Sequence, residues 1–102
     1  MEFTNAQIRD FAGSDEQYEK AKRLVDEQRI VSLDIDDFSS REIIMINATI
    51  KDGKNYREVN MSIDKDDVTV RAHLCSCPQH GKDTLSCEHC TAGLIKLNEE
   101  HE

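Results

Sequence analysis

The chain has no tryptophan, one proline, and only three phenylalanines and two tyrosines among 102 residues. So few aromatic rings leave little material for a base-stacking platform of the kind that single-stranded nucleic-acid binders use. Long apolar runs are missing too. The longest, "IIMI" at 43–46, is far shorter than the roughly 20 residues that a membrane-spanning helix needs. "MEFTNAQIRDFAGSDE" has no basic start leading into an apolar run, so no secretory signal is expected. Positive charge is in short supply, with 13 Lys and Arg against 21 Asp and Glu and a net charge of −8. That balance argues against a general nucleic-acid binder, which displaces counterions with a basic field. Acidic charge scattered along a chain reads instead as solubility. Cysteine is absent outside residues 75–90. The expectation is a reducing compartment, cytoplasmic or, in a eukaryote, nuclear, where cysteines remain thiols.

What is present suits one small domain. A chain of this length buries about 60–65% of the surface that its unfolded form exposes, and only 37% of its residues are hydrophobic. The core is therefore thin, and something besides packing is expected to help hold it.

Residues 4–29 read as helical. Thr4 is placed to cap a short helix carrying Ile8 and Phe11, and "AGSD" interrupts it. Ser14 with Gln17 three residues on resembles a capping box. It opens a second helix with one apolar stripe, Tyr18, Ala21, Leu24 and Val25. From Ile30 the period changes to two. Val31, Leu33 and Ile35 predict a first strand, Ile44, Ile46, Ala48 and Ile50 a second, and Val59, Met61 and Ile63 a third. Asp52-Gly53 supplies the positive φ angles of a tight hairpin, and "DKDD" at 64–67 a polar turn. Val68, Val70, Ala72 and Leu74 predict a fourth strand, and Thr91–Asn98 a final helix with Leu94, Ile95 and Leu97 apolar. No linker, repeat or low-complexity segment is seen. The predicted fold is a compact α+β domain: a helical lead-in over 1–29, a four-stranded antiparallel sheet over 30–74, and a cysteine-bearing segment with its helix over 75–98.

All four cysteines fall in "CSCPQHGKDTLSCEHC", residues 75–90. Cys75-x-Cys77, nine residues, then Cys87-x-His89 is a tetrahedral set of three sulfurs and one imidazole, the kind that zinc takes. Cysteines two apart on an extended strand point to the same side. Two residues apart on a helix point about 200° away from each other, so Cys87 is expected just before the final helix and His89 in its first turn. The positive end of the helix dipole favours thiolate there. Pro78 fixes the backbone after Cys77. Soft and borderline ligands favour one zinc ion over a harder cation. An iron–sulfur cluster asks for four cysteines, and Cys90 is the residue that would complete such a set. Four ligands close the zinc sphere, which marks a structural site and predicts no catalytic residue and no enzyme.

This stretch resembles the SWIM-type zinc finger, whose pattern is Cys-x-Cys, a variable gap, then Cys-x-His leading into an apolar helix. "CSCPQHGKDTLSCEH" follows it throughout. Upstream, "YEKAKRLVDEQRIVSLDI" and "IIMINATIKDGKNYREVNMSI" resemble the helix and strands before this finger in bacterial helicase-like ATPases of the SWI/SNF class, so the likeness runs over about residues 11–97. One departure is the glycine often found near the end of the upstream helix, where this chain has "VDEQRI". The resemblance implies a zinc-stabilised module attached to a larger protein, such as a helicase-like ATPase, a Mutator-type transposase or a kinase with ubiquitin-ligase activity. Its implied roles are binding protein or binding DNA.

Other signals read as structural. Cys90 shares a helical stripe with Leu94 and Leu97 and is expected to be a buried free thiol. His80, beside Gly81, is expected to be solvated, His73 sits on a strand, and His101 lies in the tail. "DIDD" (34–37) and "DKDD" lack the Gly and Glu positions of a calcium loop, and "GKDT" (81–84) lacks those of a P-loop. Asn47-Ala48-Thr49 and Asn60-Met61-Ser62 are chance glycosylation triplets on strands. From Arg71 to Lys96 the cations are Arg71, Lys82 and Lys96 against Asp83 and Glu88, so the finger is near neutral once zinc and three thiolates are added. A protein partner or neighbouring domain, met by a surface around Leu94–Asn98, is therefore expected ahead of DNA. No membrane and no small-molecule substrate are expected.

Overall fold

The computed structural model describes residues 3–38, 42–76 and 87–100. Cys77, Pro78, His80, Gly81–Thr84 and His101 lie outside the described residues. Helices α1 (Asn5–Ala12) and α2 (Asp15–Asp26) lead into strands β1 (Ile30–Phe38), β2 (Ile43–Asp52), β3 (Asn55–Asp64) and β4 (Thr69–Cys75), and helix α3 (Glu88–Glu100) closes the order. The strands form one antiparallel sheet in the sequence order β1-β2-β3-β4. The α+β class, the helical lead-in and the four-stranded sheet are as the periodicity predicts.

Local chemistry sets the helix ends. Thr4 Oγ1 accepts from Gln7 N at 3.1 Å while Gln7 Oε1 accepts from Thr4 N at 2.8 Å, a reciprocal capping box. Gly13 ends α1 at φ 86°, and Ser14 Oγ accepts from Gln17 N at 3.1 Å to open α2. The end of α2 is a Schellman motif. Gln28 N donates to Val25 O and Arg29 N to Leu24 O, with Gln28 left-handed at φ 58°. A glutamine here bears a steric cost of roughly 1–2 kcal/mol that glycine avoids. Gln28→Gly should therefore raise stability by about 0.5–1 kcal/mol once the looser unfolded chain is allowed for. Urea unfolding checks this, and an unchanged or lower midpoint would show that the turn is relaxed as it stands.

β2 and β3 follow the alternation read from the sequence. Ile44, Ile46, Ala48 and Ile50 are buried on one face opposite Ile63, Met61, Val59 and Arg57. Each fully buried isoleucine contributes about 1.5–3 kcal/mol by leaving water. α3 joins the layers, touching α1 and α2 as well as β1, β3 and β4. Gly93 permits the approach to β3, since a Cβ there would meet Met61 Cε at 3.3 Å and Val59 Cγ1 at 3.7 Å. At the far end, Asn98 Oδ1 accepts from Phe3 N and Asn98 Nδ2 donates to Phe3 O, both at 2.8 Å.

Four expectations are corrected. Val31 is 54% exposed, not part of the inner face, because the register shifts between Ile30 and Ser32 and leaves Val31 as the extra residue of a bulge. The hairpin turns over Gly53 and Lys54 with only Gly53 at positive φ, and Asp52 stays in the ladder opposite Asn55. β4 starts at Thr69, since Val68 closes the turn at φ 50°. A second register shift then matches Ser62 to Ala72 and Ile63 to Val70, leaving Arg71 extra. A one-residue shift exchanges the faces of a strand. Ala72 and Leu74 therefore point outward, while His73 and Cys75 sit on the inner face opposite Met61 and Val59. Within the stretch Leu94–Asn98, Leu94 and Leu97 are wholly buried, while Ile95, Lys96 and Asn98 are half-buried. The exposed apolar side chains Ile43, Met45, Tyr56 and Leu74 lie on the outer face of the sheet.

Candidate metal centre

The site is assembled by the end of β4 and the start of α3. The bulge in β4 turns Cys75 inward opposite Val59, and the next residue locks the strand end in place. Ser76 N donates to Glu58 O, and Glu58 N donates to Ser76 Oγ, both at 3.0 Å. Cys87 stands at the N-cap of α3, its carbonyl accepting from Thr91 N at 3.2 Å and Thr91 Oγ1 at 3.3 Å. His89 follows in the first turn, as the spacing predicts.

A sulfur from Cys75, a sulfur from Cys87 and a ring nitrogen of His89 all lie within 4.8 Å of one another. Cys87 and His89 are buried and Cys75 half-buried. Sulfurs about 2.3 Å from one tetrahedral ion stand roughly 3.8 Å apart, so this group is compact enough to hold a metal ion. Three of the four predicted ligands are brought together; the fourth, Cys77, lies outside the described residues.

The electrostatics favour a thiolate at Cys87. Hydrogen bonds with the side chains of Cys75 and Cys90, then His89 and the Cys90 backbone, hold its pKa far below that of an ordinary thiol, against the opposing pull of burial. An N-cap sulfur accepting a backbone N–H of the first turn combines capping with the helix dipole. Cys90 is driven the other way, its thiol held protonated by its contacts with Cys75 and Cys87 and by burial. It is wholly buried in the same core as Leu94 and Leu97. Its Sγ lies 3.8 Å from Cys87 Sγ and donates to the Leu74 carbonyl oxygen at 3.8 Å.

Sequence reasoning missed Asp52. Its Oδ2 lies 2.8 Å from His89 Nε2, although the two are 37 residues apart. The Asp52-Gly53 pair reads as turn chemistry, yet Asp52 continues the inward series Ile44, Ile46, Ala48, Ile50. A carboxylate in the next inward position was the available signal. Asp52, Glu88 and His89 form a second close group of ligand-type atoms, with His89 common to both groups.

The carboxylate run at 64–67 does other work. Asp64 Oδ1 accepts from Asp66 N at 2.9 Å and Asp67 N at 3.2 Å, and Asp64 Oδ2 accepts from Arg71 Nη2 at 2.6 Å. The Arg71 hydrogen bond, with the turn amides, holds the Asp64 pKa below the usual carboxylate range. None of the described helices is long and apolar enough to cross a membrane. No protein-family model, curated protein or solved structure matches the chain.

Proposed function

We propose that this chain is a zinc-stabilised module of the SWIM type, with one structural ion on Cys75, Cys77, Cys87 and His89. In this reading it serves as a protein-interaction or accessory domain, of the kind attached to SWI/SNF-type helicase-like ATPases, and is not an enzyme. The observation that carries the reading is the convergence of Cys75, Cys87 and His89 at a strand end and a helix start. One further feature supports it. Asp64, the foremost aspartate of "DKDD", is committed to a turn and to Arg71.

Elemental analysis of metal-replete protein should give one zinc per chain. A value near zero, or iron in its place, would sink the reading.

DNA contact is a second reading, favoured by a hollow of about 310 Å³ whose lining includes Lys20, Arg23, Arg29 and Lys51. The same lining holds Glu27, Asp52 and Glu88, so the local charge is nearly balanced. Duplex DNA should accordingly bind no tighter than about 10⁻⁴ M, the weak end of non-specific affinity. Fluorescence anisotropy at about 150 mM salt decides. Micromolar binding with a steep salt slope would put nucleic-acid recognition first.

A further inference from the structure

We infer that Asp52 is the positioning residue of the metal centre: it accepts a hydrogen bond from His89 Nε2–H and thereby presents Nδ1 to the metal. The inference rests on the metal reading above and adds a residue that the ligand pattern does not contain.

Three observations converge. The Asp52 Oδ2 to His89 Nε2 separation is 2.8 Å. The His89 side chain is only 4% exposed, so the carboxylate meets a ring that solvent scarcely reaches. Asp52 is the last residue of β2, held in the ladder by its pairing with Asn55, so its backbone is anchored. The chemistry follows from the ring. A nitrogen that donates its proton to a carboxylate has no lone pair left for a metal, which leaves the other nitrogen as the ligand. An anionic acceptor also raises the basicity of the ring and fixes its orientation, and removing such partners elsewhere typically costs about 10–100-fold in metal affinity.

The position can be tested without disturbing the hairpin. Asp52 is not at positive φ, and the turn itself belongs to Gly53 and Lys54. Asp52→Asn therefore keeps the strand end and the turn while removing the charge. In a zinc-competition titration of the full chain against a chromophoric chelator, Asp52→Asn should weaken zinc by about 10–100-fold. Asp52→Glu, which keeps the carboxylate, should recover most of that loss. A merely structural role at the strand end would instead make the longer glutamate as harmful as asparagine. Long-range ¹H–¹⁵N spectra of the zinc-loaded wild-type chain give an independent readout, with His89 expected to be protonated at Nε2 and metal-bound at Nδ1.

The failures separate. One zinc in the wild type with unchanged affinity in Asp52→Asn, or with Nε2 on the metal, overturns the role of Asp52 and leaves the metal reading standing. Two zinc ions per chain, the second lost in Asp52→Asn, would make Asp52 a ligand beside Glu88 and overturn the positioning role. No zinc in the wild type overturns both. If Asp52→Asn does not fold, the wild-type spectrum decides alone.

Discussion

On the zinc reading proposed above, treatment of the metal-replete chain with a strong chelator should unfold α3 and loosen the sheet beneath it, and Cys87→Ser should do much the same without a chelator. α3 is the element that touches α1, α2, β1, β3 and β4. Its start is held by Cys87, whose sulfur is in contact with Cys90 and grouped with Cys75 and His89. Without the ion, buried polar groups would have to be accommodated beside the apolar core with little to compensate them. Structural zinc contributes about 10–16 kcal/mol of apparent binding energy in small fingers. A domain of this size has a net stability of only about 5–15 kcal/mol. The metal term is therefore large enough to decide whether the C-terminal part folds. The check is far-UV circular dichroism and urea unfolding with and without chelator. Unchanged ellipticity and an unchanged midpoint would show that the ion is not structural. Cys90→Ser is the control: Cys90 is not part of the close group that Cys75, Cys87 and His89 form, and its Sγ donates to the Leu74 carbonyl oxygen instead, so that variant should still bind one zinc.

Leu94→Ala should cost about 2–5 kcal/mol, enough to remove much of the stability of the metal-loaded chain. Leu94 is wholly buried and lies one turn beyond Cys90, so the cavity would open beneath the thiol cluster. The surroundings have little room to collapse, because Gly93 already brings the helix close to Met61 and Val59. Incomplete collapse is what sets the upper end of that range. Urea unfolding in excess zinc should show a lower midpoint with an unchanged slope. A loss under about 1 kcal/mol would mean that α3 is not packed as described, since burial alone makes a leucine worth more than that. Because Leu94 supports the site, the variant should also bind zinc more weakly.

Much of this molecule was determined by its sequence alone, wherever the governing physics is local. Thr4 and Ser14 cap helices through hydrogen bonds spanning three residues, so they are legible as pairs of letters. β2 and β3 alternate without interruption, and period two places Ile44, Ile46, Val59 and Met61 inside. The Cys87-x-His89 spacing places both residues at a helix start because helix geometry is the same everywhere. Other features were decided by the tertiary structure. In β4 the letters favour Ala72 and Leu74 as the inner face, yet the bulge at Arg71 turns His73 and Cys75 inward instead. A bulge is a property of two paired strands, and its one extra residue reverses every later side chain. The Asp52–His89 contact joins the end of one hairpin strand to the first turn of a helix 37 residues later. No local pattern encodes that meeting, because it exists only once α3 has been laid across the sheet.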